Sequence, residues 1–355
     1  MRRNMFTFCQ NQPSPQLQQI PKILSNRSVV LPHSEEHPIK IINAYKLIQE
    51  LGRGSFGQVF LAVNIMQQKF AMKISPEKMA KYTKIEAAIL KRLEQFDISP
   101  KMIEAFEFEQ QYCVVMSLCE QTLADFIRQD ISINQRRTLM KNIAEQLNTL
   151  HENEIIHADI KMDNYLLLQK NVASSVKTID YSSSIQLPAT YFPTKLQSRY
   201  FKSPEVLHKK SYHKQIDCWS LGCLFFEIVF QRPLFPAKTD EMLCLQQSCL
   251  LGPIEYGDEQ FMTRSTSYLF SSYSEQLTSL GYTEKSVLIP TSDVLDATGR
   301  EECYPRTLSN LVSKLNWSDK LKNSYLILLN GLLQYDPKLR WTCEDVLQSD
   351  FFNSL

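Results

Sequence analysis

Gly52-Arg53-Gly54-Ser55-Phe56-Gly57-Gln58-Val59 holds three of the nine glycines in a chain of 355 residues. Glycine usually makes up ~7% of a protein, so a chain this sparing of it has a reason to concentrate it here. Without a Cβ, backbone N–H groups can approach phosphate oxygens closely. The GxGxxG spacing alone is weak, since ordinary loops and dinucleotide-binding turns share it. A dinucleotide turn needs a helix directly after the glycines, to aim its N-terminus at a pyrophosphate. Here Gln58-Val59-Phe60-Leu61-Ala62-Val63 follows, a strand-like run. The glycine turn therefore joins two strands, and sixteen residues past Gly57 the apolar run Phe70-Ala71-Met72 ends in Lys73.

Outward from this turn, Tyr45 to Leu51, Gln58 to Val63 and Lys69 to Ile74 read as three antiparallel strands. Lys78 to Phe96 has no Gly or Pro and carries Tyr82, Ile85, Ile89 and Leu93 at helical steps, which predicts an amphipathic helix. Extended segments around Met102 to Glu109 and Tyr112 to Met116 complete a small sheet. Beyond about Leu118 helical texture dominates, with helices predicted over 122–129, 134–153, 215–230, 320–334 and 343–349. The expected fold class is α+β, with a small antiparallel-sheet lobe carrying one helix (45–116) before a larger, mainly helical lobe (117–355). Residues 1–44, rich in Gln, Pro and Ser over much of their length, are expected to form a disordered leader. The Ser/Thr/Tyr-rich stretch at about 253–318 reads as an insert.

His157-Ala158-Asp159-Ile160-Lys161-Met162-Asp163-Asn164 follows a helix and fits HxDxxxxN, and Asp180-Tyr181-Ser182 comes later in the chain. Phosphoryl transfer asks for positioning and charge neutralisation: a carboxylate to take a hydroxyl proton, and oxygen ligands to hold Mg²⁺ on the phosphates. Asp159 fits the base, Asn164 and Asp180 the metal ligands, and Lys161 a group that steadies the transferred phosphate. Glu86 on the predicted helix is the natural ion-pair partner of Lys73.

In this order and spacing the motifs resemble a eukaryotic protein kinase, over about residues 45–354. Ser203-Pro204-Glu205, Asp217-Cys218-Trp219-Ser220-Leu221-Gly222 and Asp336-Pro337-Lys338-Leu339-Arg340 add to the likeness. The resemblance implies a bilobal fold that uses ATP and Mg²⁺ to phosphorylate Ser or Thr of protein substrates, with Tyr as a further acceptor. It also implies a nucleotide held by Gly52, Arg53, Gly54, Ser55, Phe56, Gly57, Val59, Ala71 and Lys73. Met116 would be the gatekeeper, and Ser117 to Cys119, with Leu118 between them, the hinge. Glu205 and Arg340 would form a buried ion pair, and Asp217 would brace the catalytic loop from beneath. Within the kinases the chain is most similar to the CMGC group and its dual-specificity tyrosine-regulated subfamily. Gln197-Ser198-Arg199-Tyr200-Phe201-Lys202-Ser203-Pro204-Glu205 and Ile179-Asp180-Tyr181-Ser182-Ser183-Ser184 carry that likeness.

Three departures matter. Ser182 stands where the family has glycine, adding a Cβ that restricts Asp180 in or out. Tyr181 replaces phenylalanine; its ring can stack between Leu90 and His157, but its hydroxyl needs a partner. Pro193 and Lys195 occupy the positions of the subfamily's Tyr-x-Tyr, and Ala158 replaces the arginine that in many kinases gathers an activation-loop phosphate. The activation segment is therefore expected to be held by packing, with Tyr191 and Thr194 as the remaining acceptors. The departures also keep open a pseudokinase scaffold that binds nucleotide or partners with little turnover.

Lys+Arg 39 against Asp+Glu 38 gives a net charge of +1, so no basic field points to nucleic acid or an acidic membrane. Nine cysteines without a CxxC pair argue against a disulfide framework and a zinc module, and Cys218, Cys223, Cys244 and Cys249 are expected to serve packing. The start has two arginines but no apolar stretch behind them, and the most apolar run, Leu221 to Phe230, is short and contains Glu227. The expectation is a monomer inside the cell, in cytoplasm or nucleus, acting on proteins.

Overall fold

The computed structural model describes residues 40–251 and 307–353. Strands β1 (Ile41–Ile42), β2 (Tyr45–Gly54), β3 (Gly57–Val63), β4 (Lys69–Pro76), β5 (Met102–Phe108) and β6 (Gln111–Ser117) form one antiparallel sheet in the order β1-β2-β3-β4-β6-β5. Alternation along these strands splits the sheet into two faces. Ile42, Tyr45, Ala62, Met72, Ile74, Cys113 and Val115 make a small core on one of them. The other face carries Lys73 and turns towards helix α1 (Ala80–Leu93), which single turns of 3₁₀ helix extend at both ends.

Two expectations are corrected in this lobe. Ile42 is fully buried in β1, which pairs with β2, so an apolar anchor orders the chain from residue 40, inside the stretch expected to be leader; residues 1–39 lie outside the described residues. In α1, Ile85 is 38% exposed while Glu86 is 2% exposed. The departure is Ile85, which leaves the expected apolar stripe of Tyr82, Ile89 and Leu93, while Glu86 faces inward as the partner expected for Lys73.

The second lobe is built around α5 (Gln215–Phe230), whose residues from Ile216 to Phe226 are all buried. Helix α3 (Ile133–Glu152) opens on a capping box between Ser132 and Gln135, a device that stabilises a helix start by about 1 kcal/mol. It packs Leu139, Met140, Ile143, Leu147 and Leu150 into the same core. Helices α2 (Leu123–Ile127), α4 (Pro204–Leu207), α6 (Asp240–Leu251), α7 (Leu308–Ser313), α8 (Asp319–Leu332), α9 (Cys343–Leu347) and α10 (Asp350–Asn353) complete the helical part among the described residues. The lobe also holds short strands β7 (Gln121–Thr122), β8 (Ile155–Ile156), β9 (Tyr165–Leu167), β10 (Val176–Thr178) and β11 (Ile185–Gln186). They form a three-stranded sheet, β10-β9-β7, and a pair, β11-β8. Being two or three residues long, they leave no periodicity to read in sequence. Of the expected insert only its end is described, and α7 lies there; residues 252–306 are outside the described residues. No helix among the described residues is long and apolar enough to cross a membrane.

Candidate active site

Strand register gathers the upper half of the site. Val59 pairs with Lys73, Lys73 with Val114, and Ala71 with Met116. Because Ala71 and Lys73 are two apart, all these side chains share one face. Gly52 and Gly54 have open space where a Cβ would stand, whereas a Cβ on Gly57 would collide with the Ile74 carbonyl and sit 2.8 Å from Ser75 Oγ. Gly57 is thus required by the packing of β3 on β4. Arg53 ion-pairs with Glu50 at 3.0 Å and Phe56 packs on Tyr82 with ring centroids 5.0 Å apart. Both side chains are engaged within the protein, so what the turn with exposed Ser55 at its tip offers a ligand is backbone. Met116 and Leu118 are half-buried at the end of β6 and just beyond it.

Lys73 Nζ meets Glu86 Oε2 at 2.5 Å, Asp180 Oδ1 at 2.9 Å and Ser182 Oγ at 2.8 Å. Ser182 Oγ donates in turn to Glu86 at 3.0 Å. The hydroxyl is a fourth member of the cluster that joins the sheet, α1 and the helical lobe. The open question at Ser182 is answered: Asp180 points in, in a left-handed conformation at φ 62°, and accepts from the Ser182 N–H. Burial pulls the Lys73 ammonium down, but the charges of Glu86 and Asp180 outweigh it and hold it above its ordinary value. Burial also opposes the Asp180 charge, and Lys73 overcomes it, keeping that carboxyl below its ordinary range. Tyr181 is fully buried with its ring 5.3 Å from that of His157, and its hydroxyl finds Ser99 Oγ at 2.5 Å.

The lower half follows β8. His157 N–H and Ala158 N–H donate to Asp217 Oδ2 and Oδ1 at 2.7 and 2.8 Å, so α5 holds the turn from below through one fully buried carboxylate. His157 Nδ1 accepts from Asp159 N–H while Nε2 lies 3.2 Å from the Ile179 carbonyl, which assigns the proton to Nε2. Asp159 Oδ2 receives Lys161 Nζ at 2.6 Å and Asn164 Nδ2 at 3.1 Å, and Oδ1 receives Ser198 Oγ at 2.8 Å. The Asn164 amide nitrogen also donates to the Asp159 carbonyl at 2.8 Å, leaving its oxygen as the donor for a cation. That oxygen and the Asp180 carboxylate are hard ligands of the kind Mg²⁺ takes, so the residues present fit the ion. Ser198 carries no sequence signal of its own; its hydroxyl between Asp159 and Lys161, 3.2 Å from the latter, is visible only in three dimensions.

The segment after Asp180 is fastened by side-chain packing and hydrogen bonds. Leu196 joins Ile156, Ala158, Ile185, Val206 and Ile216 in a buried cluster, so Ala158 is a packing residue. Gln197 donates to the Ile216 carbonyl and Ser220 Oγ and accepts from Ser203. Arg199 donates to the Lys238 carbonyl at 2.7 Å and faces Asp240 at 3.5 Å, and Lys202 binds the same carboxylate at 3.0 Å. Tyr191, Thr194 and Lys195 are exposed. Below it, Arg340 makes a bidentate pair with Glu205 at 2.6 and 2.9 Å and donates to the carbonyls of Gln334, Gln215 and Tyr335.

A profile of the protein kinase domain matches residues 45–352. The chain is 30% identical over 325 residues, 88% of its length, to the serine/threonine-protein kinase ppk5 of Schizosaccharomyces pombe. It is 32% identical over 223 residues, 59% of its length, to the human dual specificity tyrosine-phosphorylation-regulated kinase 3. With the mouse homeodomain-interacting protein kinase 1 it shares 31% over 228 residues, 60% of its length. These matches cover 36%, 37% and 19% of the respective relatives, so the chain spans little more than a third of their length at most.

Proposed function

Since the chain belongs to the protein kinase domain family, whose members use ATP with a divalent metal ion, we propose that it is an active protein kinase directed to Ser and Thr hydroxyls of proteins. The observation that carries this reading is the closed set around Asp159, with Lys161, Asn164 and Ser198 all in hydrogen-bond contact with it. Asp159 accepts the proton of the attacking hydroxyl, and Lys161 balances charge beside it. Ser198 holds one oxygen of Asp159 while Lys161 and Asn164 hold the other, which fixes the orientation of the carboxylate. Lys73, held by Glu86, faces the α and β phosphates, and the backbone of Gly52, Gly54 and Gly57 covers them, with Arg53, Ser55 and Phe56 shaping the turn. Val59, Ala71, Met116 and Leu118 receive the adenine. Asn164 and Asp180 would hold Mg²⁺, which would supply neutralisation of phosphate charge. Names of relatives that include serine/threonine and dual specificity kinases support the acceptor class and leave tyrosine as a second acceptor.

Transfer of phosphate from radiolabelled Mg·ATP to a basic protein substrate, followed by phosphoamino-acid analysis, tests the proposal. Wild type labels Ser and Thr, and Asp159→Asn lowers the rate by at least 10²-fold while ATP binding persists. A wild type that binds ATP but labels nothing favours the scaffold reading instead.

A further inference from the structure

Beneath the catalytic loop three helices converge on a histidine and two cysteines. His151 lies in the last turn of α3, Cys218 in the first turn of α5, and Cys343 begins α9. One donor atom of each lies within 4.8 Å of the other two. His151 Nδ1 is 3.7 Å from Cys343 Sγ, while Nε2 on the other side of the ring is 3.1 Å from Asp217 Oδ2. Asp217 is 0%, Cys218 2% and Cys343 1% exposed. Packing as small apolar groups accounts for Cys223, but not for two thiols meeting a ring nitrogen whose opposite nitrogen is held by a buried carboxylate. That second contact is the one metal-bound histidines make: a carboxylate on the far N–H fixes the tautomer and aims the free nitrogen at the ion.

We infer that His151 Nδ1, Cys218 Sγ and Cys343 Sγ form a binding site for Zn²⁺. Two sulfurs and one imidazole nitrogen suit a thiophilic d¹⁰ cation. Zinc bond lengths of about 2.3 Å to sulfur and 2.0–2.1 Å to nitrogen place tetrahedral ligand atoms roughly 3.5–3.8 Å apart. The His151–Cys343 separation is already in that range. Binding replaces two protons: Zn²⁺, two thiols and a neutral imidazole become a neutral Zn–S₂N unit and two H⁺. No net charge is added to a buried place, which avoids the desolvation cost of an isolated ion. Three protein ligands leave the fourth tetrahedral position to water. The pairing of residues 218 and 343 has no sequence motif, because tertiary contact alone brings α5 and α9 together. Through Asp217, which also carries the His157 and Ala158 N–H groups, the ion pins three helices under the catalytic turn.

The test is to produce the full chain with added zinc, dialyse it against metal-free buffer, and measure metal per chain beside Cys218→Ala and Cys343→Ala. Other cysteines can take up zinc, so the difference is read: one equivalent retained by wild type is lost in each variant. Cobalt loading then gives sulfur-to-metal charge-transfer absorption that is stronger in wild type than in either variant, and a chelator lowers Tm of wild type only. Cys343→Ser, nearly isosteric, replaces Cys343→Ala should that variant not fold. Equal metal content in wild type and variants, no retained zinc in any of them, or a Cys218–Cys343 disulfide in the purified chain overturns the assignment.

Discussion

Ser182 changes meaning between sequence and structure. As a residue in place of glycine it reads as a possible fault; in the fold its hydroxyl accepts from Lys73 and donates to Glu86, closing a buried cluster. Ser182→Ala leaves two buried charges one partner short, and hydrogen bonds to charged groups are worth about 1.5–3 kcal/mol. We expect a loss of that order in thermal denaturation and a several-fold fall in kcat. Ser182→Gly, which also frees the backbone, falls at least as far; a more active glycine variant would sink this reading. Glu227 makes a second prediction at this scale. Burial, with Asp163 nearby, pushes its carboxyl up to about 7, and its Oε2 is buried without a hydrogen bond. The folded state then holds a proton that the unfolded chain releases from about pH 4.5 upwards, so this residue lowers stability as pH rises to 7, by up to about 3 kcal/mol. Glu227→Gln should raise Tm at pH 8 and change little at pH 5, and an equal gain at both would refute the burial argument.

Among the elements, the sheet and the longer helices were legible because their patterns are local. The three strands on either side of the glycine turn, α3 and α5 lie within three residues of their expected limits. Helix α1 presents Glu86 to Lys73 as the pairing of the two predicts, and of its expected apolar stripe Ile85 alone is exposed. Helix α6 has weak amphipathic character and leaves no helical period to read in sequence. Glu205 on α4 and Arg340 before α9 are 135 positions apart, yet the likeness to kinases anticipated their pairing, and every direction of the guanidinium is used. Breaking such a pair from one side strands a buried charge, so Arg340→Ala is expected to cost about 3–5 kcal/mol. Chemical denaturation measures this, and a loss below about 1 kcal/mol would show that water reaches Glu205.

For the whole molecule the question is how the active arrangement is held. The lobes are joined by Asp180 and Ser182 reaching up to Lys73 and Glu86, and the activation segment is fastened by Leu196, Gln197 and the carboxylate of Asp240 shared by Arg199 and Lys202. Activity should therefore survive phosphatase treatment and the double change Tyr191→Phe, Thr194→Ala, and Asp240→Asn should lower it several-fold by loosening the segment that carries Ser198. Loss of activity on phosphatase treatment would contradict this. The sequence by itself determined the class of fold and the order of the glycine, lysine and aspartate motifs, because glycine placement, strand alternation and motif spacing are properties of neighbouring residues. Only the tertiary structure decided that Asp180 points in, that Ser182 and Ser198 join the site, that Asp240 anchors the segment and that His151, Cys218 and Cys343 meet. Each of these depends on the direction of side chains from separate elements, and burial makes a polar group acceptable only where a distant partner satisfies it.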